Sequence, residues 1–213
     1  MKKLEVPFIS LDKDSPISDV SAALNDVAPN SIELAPWAEF SYKPHVTFAV
    51  AYSEDSLLVK YFVKEKAISA FHREINSPVY KDTCVEMFIA FDEEPNYYNL
   101  EFNCVGTCLA GYGKSRVGRK LLAKDLVDRI KYLSKVKSRS NSEGNFCWEL
   151  TLMIPFEVFC HHEITSLKNR TCRVNFYKCG DDLPEPHYLS WSSIKSPSPN
   201  FHLPEFFGEA EFV

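Results

Sequence analysis

Tyr97-Tyr98-Asn99-Leu100-Glu101-Phe102-Asn103-Cys104 is the stretch that best predicts the fold. Its apolar and polar residues fall on alternate positions, which is the period of a β-strand whose two faces differ. The same period runs through residues 45–52 and 57–64. Ser53-Glu54-Asp55-Ser56 lies between these two runs and is typical of a turn, so the pair predicts a hairpin.

Further alternating runs predict an all-β chain. They cover residues 83–91, 97–105, 107–112, 146–154, 172–179, 187–192 and 207–213. Many short strands separated by turn residues favour an antiparallel β-sandwich. We expect a single domain over residues 1–213, on which residues 1–36 pack as an N-terminal extension.

The helical content is predicted to be small. Residues 14–28 predict a short helix with Ser15 as its N-cap and Pro16 at its first position. Minor helical turns are expected after Pro155 and over residues 125–130, and residues 130–136 alternate like an edge strand.

Composition excludes several classes of protein. The chain of 213 residues carries 24 Lys and Arg against 29 Asp and Glu, and this net acidity argues against nucleic-acid binding. No apolar run approaches the roughly 18–20 residues of a membrane helix, so no membrane partner is expected. Glu5 and Pro7 interrupt any leader-like apolar run, and the seven Cys include no Cys-x-x-Cys pair. We therefore expect a cytoplasmic protein with reduced thiols.

Amides and carboxylates of short reach occur on the polar faces of three predicted strands. Asn99, Glu101 and Asn103 share one face, Glu86 lies mid-strand between apolar residues, and Asn175 alternates with Val174 and Phe176. A carboxylate accepts two O–H donors and an amide both donates and accepts, as recognition of vicinal hydroxyls requires. The alternative is that these faces simply meet water, as one side of an antiparallel sheet often does.

Three motifs in order resemble carbohydrate-binding modules of family 9, in its stand-alone subgroup within the wider DOMON-like superfamily. The first is Tyr80-Lys81-Asp82-Thr83-Cys84-Val85-Glu86-Met87-Phe88-Ile89, which resembles an aromatic-x-x-Asp-x-Val-Glu-x-Phe-Ile signature. The second is Tyr98-x-x-Glu101-Phe102-Asn103-x-x-Gly106. The third comprises Ser190-Trp191-Ser192 and Asn200-Phe201-His202-x-Pro204-Glu205-x-Phe207-Gly208.

The resemblance implies a β-sandwich that binds sugars without cleaving them, in bacterial polysaccharide catabolism. By position, Tyr80 matches the first aromatic platform and Glu86 the hydroxyl-binding carboxylate. Trp191 lies in the region of the second platform, for which Phe201 or His202 is the alternative. No cofactor is expected. Some relatives bind structural calcium, but no acidic loop here has the spacing of a calcium site.

The expected site is one concave sheet face with an aromatic rim. It would consist of Glu86, Asn99, Glu101, Asn103 and Asn175 on the face, with Tyr80 and Trp191 at the rim. Three alternatives stay open. Glu86 and Glu101 could be the carboxylate pair of a glycoside-processing enzyme. The chain could be a ligand-free interaction domain. It could also bind haem like other DOMON-like domains, although Met87 and Met153 lie in apolar runs typical of a core.

Overall fold

The fold is that of a two-sheet β-sandwich, as a computed structural model shows for residues 1–140 and 145–213, without the side chains of residues 138–140. Sheet A has the order β1 (Lys3–Val6), β13 (Gly208–Phe212), β11 (Thr171–Cys179), β5 (Cys84–Ala90), β6 (Tyr97–Asn103), β7 (Cys108–Gly113) and β8 (Lys120–Leu121), and β12 (Tyr188–Ser190) also pairs with β11. Sheet B has the order β2 (Asn30–Ser31), β3 (His45–Tyr52), β4 (Ser56–Glu65), β10 (Asn145–Pro155) and β9 (Lys131–Ser140). The predicted all-β sandwich is confirmed.

The main core lies between the two sheets. Phe48 of sheet B stacks on Phe176 of sheet A with ring centroids 3.8 Å apart, and Trp191 meets both rings edge-on. The alternate residues Leu100 and Phe102 of β6 belong to the same buried cluster. The period of two therefore directs one face of these strands into the core between the sheets, as predicted from the sequence.

The pairing departs from a purely antiparallel pattern at one edge. Strand β1, which the sequence analysis missed, pairs in parallel with β13 through Lys3↔Glu209 to Val6↔Phe212. The other strand pairs within the described sheets are antiparallel, including the predicted hairpin β3–β4. Strand β9 is the edge of sheet B, as its alternation predicted.

Helices are few and short. Helix α1 spans Ile17–Ala23 and helix α2 spans Lys124–Val127; single 3₁₀ turns occur at Val79–Lys81, Phe156–Val158 and Pro204–Phe206. Helix α1 is shorter than the predicted 14–28. Its end tightens into 3₁₀-type bonds from the N–H groups of Asn25 and Asp26, which stop the α-helical ladder.

The predicted N-cap of α1 was wrong. Pro16 occupies the cap position, and no side chain caps the helix. Ser15 instead accepts a hydrogen bond from the N–H of Asp12 in the preceding turn. None of the described helices is long and apolar enough to cross a membrane.

A second apolar layer covers the outer face of sheet A. Trp37 and Phe201, both from loops, pack over Phe88 and Tyr177 of the sheet, and Tyr177 stacks on Phe201 at 4.2 Å. The Trp37 indole N–H donates to the carbonyl of Ser196, which ties the loop before β3 to the loop after β12. Loops therefore cover most of the outer face of sheet A, the polar face that was predicted to form the site. This face stays open at a cleft between the loops.

Candidate functional site

A cleft of about 200 Å³ opens on the outer face of sheet A, over β5, β6 and the end of β11. Its lining residues are Tyr80, Glu86, Glu101, Arg116, Arg119, Cys179, Asp181, Tyr188, Pro199, Asn200, Phe201 and His202. Strands supply the floor, because Glu86 and Glu101 are directly opposite each other in the β5–β6 register. Loops supply the walls. The position of the floor is thus fixed by backbone pairing, whereas its enclosure depends on distant segments.

Two buried carboxylates form the floor. The side chain of Glu101 accepts hydrogen bonds on Oε1 from Asn99 Nδ2 at 3.0 Å and from Arg119 Nη2 at 3.3 Å. Its other oxygen, Oε2, is buried and has no partner among the described residues. Glu86 Oε1 accepts a hydrogen bond from the thiol of Cys179 at 3.0 Å. The floor therefore retains acceptor capacity for a donor that enters the cleft.

Burial raises the pKa of both carboxyl groups. The pKa of Glu101 rises to about 7 because desolvation outweighs the opposing effects of Arg119 and Asn99. The pKa of Glu86 rises well above its ordinary value through burial and then through repulsion from Glu101. Since Arg119 stabilises the Glu101 anion, Glu86 has the higher pKa of this coupled pair. The floor thus combines two carboxyl groups that keep their protons to a higher pH than exposed carboxyl groups do.

Cations and a neutral imidazole occupy one side of the cleft. Arg119 Nη1 lies 2.7–2.8 Å from the ring nitrogens of His202, whose Nδ1 is also 2.8 Å from the hydroxyl of Tyr97. Burial, followed by the charges of Arg119 and Arg116, lowers the pKa of His202 to about 3, so its ring is neutral. Arg116 is exposed at the rim.

Aromatic side chains and one acid complete the walls. Tyr80, on the 3₁₀ turn before β5, and Tyr188, on β12, are both half-buried and line the cleft. Asp181 follows β11, and burial raises its pKa to about 6 against the effect of a hydrogen bond with Tyr188. These rings offer apolar planes beside polar groups, an arrangement suited to a ligand with both C–H and O–H surfaces.

The structure brings together only part of the predicted residue set. Tyr80, Glu86 and Glu101 line the cleft, and Phe201 and His202 line it as well. Asn99 is fully buried, and its Nδ2 donates a hydrogen bond to Glu101 Oε1 at the floor of the cleft.

Asn103 and Asn175 share the predicted sheet face but bind backbone elsewhere. Asn103 Oδ1 accepts from the N–H groups of Val105 and Thr107, fixing the turn after β6. Asn175 Oδ1 accepts from the N–H of Ser192, and its Nδ2 donates to the carbonyl of the same residue. The amides of Asn103 and Asn175 therefore hold backbone segments in place.

The predicted position of Trp191 at the rim was wrong. Its side chain is fully buried in the core between the sheets, where it contacts Phe48 and Phe176. Trp191 directly follows β12, and alternation along a strand of only three residues is too short to predict which side of the sheet the next side chain occupies.

Six cleft residues escaped the sequence analysis: Arg116, Arg119, Cys179, Asp181, Tyr188 and Pro199. The two arginines belong to a basic run that is typical of a solvated loop, and Asp181 lies in a turn rich in polar residues. No motif marks any of them. Only the tertiary structure shows that these residues lie around the β5–β6 floor.

Comparisons with known proteins agree on the type of domain. The sequence model of carbohydrate-binding family 9 matches residues 19–212. A crystal structure of a putative carbohydrate-binding protein from Bacteroides uniformis is 32% identical, with a TM-score of 0.91, over 100% of this chain and 99% of that chain.

More distant structures share the fold. A family 9 module from Caldicellulosiruptor kristjanssonii in complex with glucose is 13% identical, with a TM-score of 0.62, over 100% of this chain and 96% of that one. Another structure of a family 9 module from that organism, in complex with cellotriose, is 14% identical, with a TM-score of 0.59. It covers 99% of this chain and 93% of that one. A comparison with curated proteins gave no match.

Proposed function

The chain belongs to carbohydrate-binding family 9, and from that premise we propose that its cleft binds a saccharide and does not cleave it. The observation that carries this proposal is the buried Glu101 Oε2, which lacks a hydrogen-bond partner among the described residues and belongs to a side chain that lines the cleft. An unsatisfied buried acceptor costs free energy, and a ligand hydroxyl would remove that cost. Tyr80 and Tyr188 would pack on the C–H faces of the sugar ring.

The size of the cleft favours a single sugar ring as the bound unit. A volume of about 200 Å³ lies below the ~300–1,000 Å³ typical of sites for drug-sized ligands. We therefore propose a monosaccharide or the terminal residue of an oligosaccharide. Affinity should be micromolar to millimolar, about −4 to −8 kcal/mol, because little area is buried and hydroxyls must be desolvated.

The arrangement of the carboxylates supports binding over glycoside hydrolysis. A glycosidase places its acid and its nucleophile or base on two sides of the scissile bond. Glu86 and Glu101 instead lie side by side on one floor, as direct partners across two strands. Turnover of aryl glycosides that disappears in a Glu86→Gln variant would overturn the non-catalytic assignment.

The two remaining alternatives receive less support. Loops cover much of the polar face, as a ligand-free domain would require, but the cleft over Glu86 and Glu101 stays open. Met87 and Met153 are buried in separate apolar clusters, which does not suit haem ligation at an accessible end of the sandwich.

Calorimetric titration with glucose and cello-oligosaccharides, followed by a glycan array, tests the proposal. These sugars come first because the related modules were solved with glucose and cellotriose. Glu101→Gln keeps the shape but removes a charged acceptor worth about 1.5–3 kcal/mol, so affinity should fall roughly 10- to 100-fold. Glu209→Gln, outside the cleft on β13, is the matched control. Unchanged affinity in folded Glu101→Gln and Glu86→Gln variants would refute the site.

A further inference from the structure

Two thiols and a carboxylate meet at the floor of the cleft. Cys84 and Glu86 lie two positions apart on the outer face of β5, and Cys179 of β11 is the direct partner of Cys84 across the strands. One ligand atom from each of the three residues lies within 4.8 Å of the other two, and all three residues are buried. Glu86 and Cys179 line the cleft, which gives this cluster a path to solvent.

The spacing of these ligand atoms is compatible with three ligands of one tetrahedral metal ion. Zn–S bonds of ~2.3 Å and Zn–O bonds of ~2.0 Å place ligand atoms of a tetrahedral site roughly 3.5–3.8 Å apart. Cys179 Sγ and Glu86 Oε1 are 3.0 Å apart, joined by the thiol proton that a metal would displace. Small side-chain rotations would therefore complete three of four ligand positions, and the cleft could supply water for the fourth.

The surroundings favour a thiophilic divalent cation. Glu101 and Asp181 lie near Glu86 and add negative potential, which the charge of Arg119 partly offsets. Calcium prefers six to eight oxygen ligands, whereas two thiolates and one carboxylate suit Zn²⁺. The thiolate is the form of Cys that binds a metal ion, so binding must release the protons of both thiols.

We propose that Cys84, Cys179 and Glu86 form a binding site for Zn²⁺ or a similar thiophilic divalent cation at the base of the cleft. The sequence predicted no metal site, because Cys84 and Cys179 lie far apart in the chain. The two proposed sites share Glu86, but the metal titration detects the thiols and needs no saccharide, so failure of one proposal can be distinguished from failure of the other.

Titration of the reduced, chelator-treated full chain with Co²⁺ tests the proposal directly. One equivalent should produce thiolate-to-cobalt charge transfer and the intense visible bands of a tetrahedral site, and Zn²⁺ should abolish both. Cys84→Ser and Cys179→Ser should lose the charge-transfer signal. Cys160→Ser is the matched control, because Cys160 is exposed and adjacent to the exposed His161, so it is the Cys most open to non-specific cobalt binding. It should bind as the parent does.

A second measurement on the unmutated protein covers the case in which a buried Cys→Ser variant fails to fold. Bound Zn²⁺ should slow alkylation of Cys84 and Cys179 relative to buried Cys172, as mass spectrometry of the labelled peptides would show. Absence of charge transfer in the parent, its loss in Cys160→Ser, or equal alkylation with and without Zn²⁺ would each overturn the proposal.

Discussion

Loss of one partner of the buried ion pair between the sheets should strongly destabilise this sandwich. Lys178 of β11 and Glu65 of β4 are both fully buried, with Nζ and Oε2 3.1 Å apart. Glu65 Oε1 also accepts from the indole N–H of Trp148 on β10. Lys178 Nζ additionally donates to the carbonyl of Cys179 and lies 2.8 Å from Nε2 of His187, a ring kept neutral by burial.

Lys178→Met removes the cation but keeps most of the side-chain volume. The Glu65 carboxylate would then stay buried with Trp148 as its remaining hydrogen-bond donor, and breaking such a pair costs about 3–5 kcal/mol. For a chain of 213 residues this corresponds to a fall in Tm of roughly 6–20 °C. Urea denaturation followed by Trp fluorescence, with calorimetry for Tm, measures both quantities.

The double variant Lys178→Met with Glu65→Gln separates two effects of the single substitution. One is the cost of burying an unpaired Glu65 carboxylate, and the other is the loss of packing around residue 178. Gln keeps an acceptor for Trp148 but carries no charge, so the double variant should be more stable than Lys178→Met alone. If Lys178→Met costs less than ~1 kcal/mol, or if the two substitutions simply add, then the pair is not the electrostatic unit that its burial implies.

Three further outcomes are expected, each measured by urea denaturation. Burial raises the pKa of Glu101 to about 7, so the native state keeps a proton that the unfolded chain releases at lower pH, and stability should fall as the pH rises from about 5 to 7. Glu101→Gln should make that fall shallower, while Glu86 and Asp181, whose pKa values are also raised, still contribute to it; a profile parallel to that of the parent would contradict the reasoning. Gly208→Ala should cost roughly 1–3 kcal/mol, because a Cβ there would lie 2.4 Å from the Trp191 ring; a neutral effect would mean that this ring can shift. Asn175→Ala should cost about 1–3 kcal/mol through its lost bonds to Ser192, yet leave saccharide affinity unchanged; weakened binding by a folded variant would return Asn175 to the site.

Local periodicity was enough to predict the fold class and the floor of the site. Alternation along β6 put Glu101 and Asn99 on one face, and a hairpin from β5 to β6 put Glu86 on the same side. These inferences succeed because a strand has a fixed period of two. In a hairpin, the neighbouring strand can also adopt only a few registers.

Other parts of the molecule depend on contacts between residues far apart in the chain. No local pattern shows that Trp191 packs between the sheets or that Arg119 donates a hydrogen bond to Glu101. Nor does any local pattern show that Cys179 lies opposite Cys84 in the β11–β5 register. Even the parallel pairing of β1 with β13 joins the two ends of the sequence. The sequence alone thus determined the class of fold and its two floor carboxylates. The tertiary structure decided which side chains enclose them, because loop closure and strand order are set by packing of the whole chain and not by local propensity.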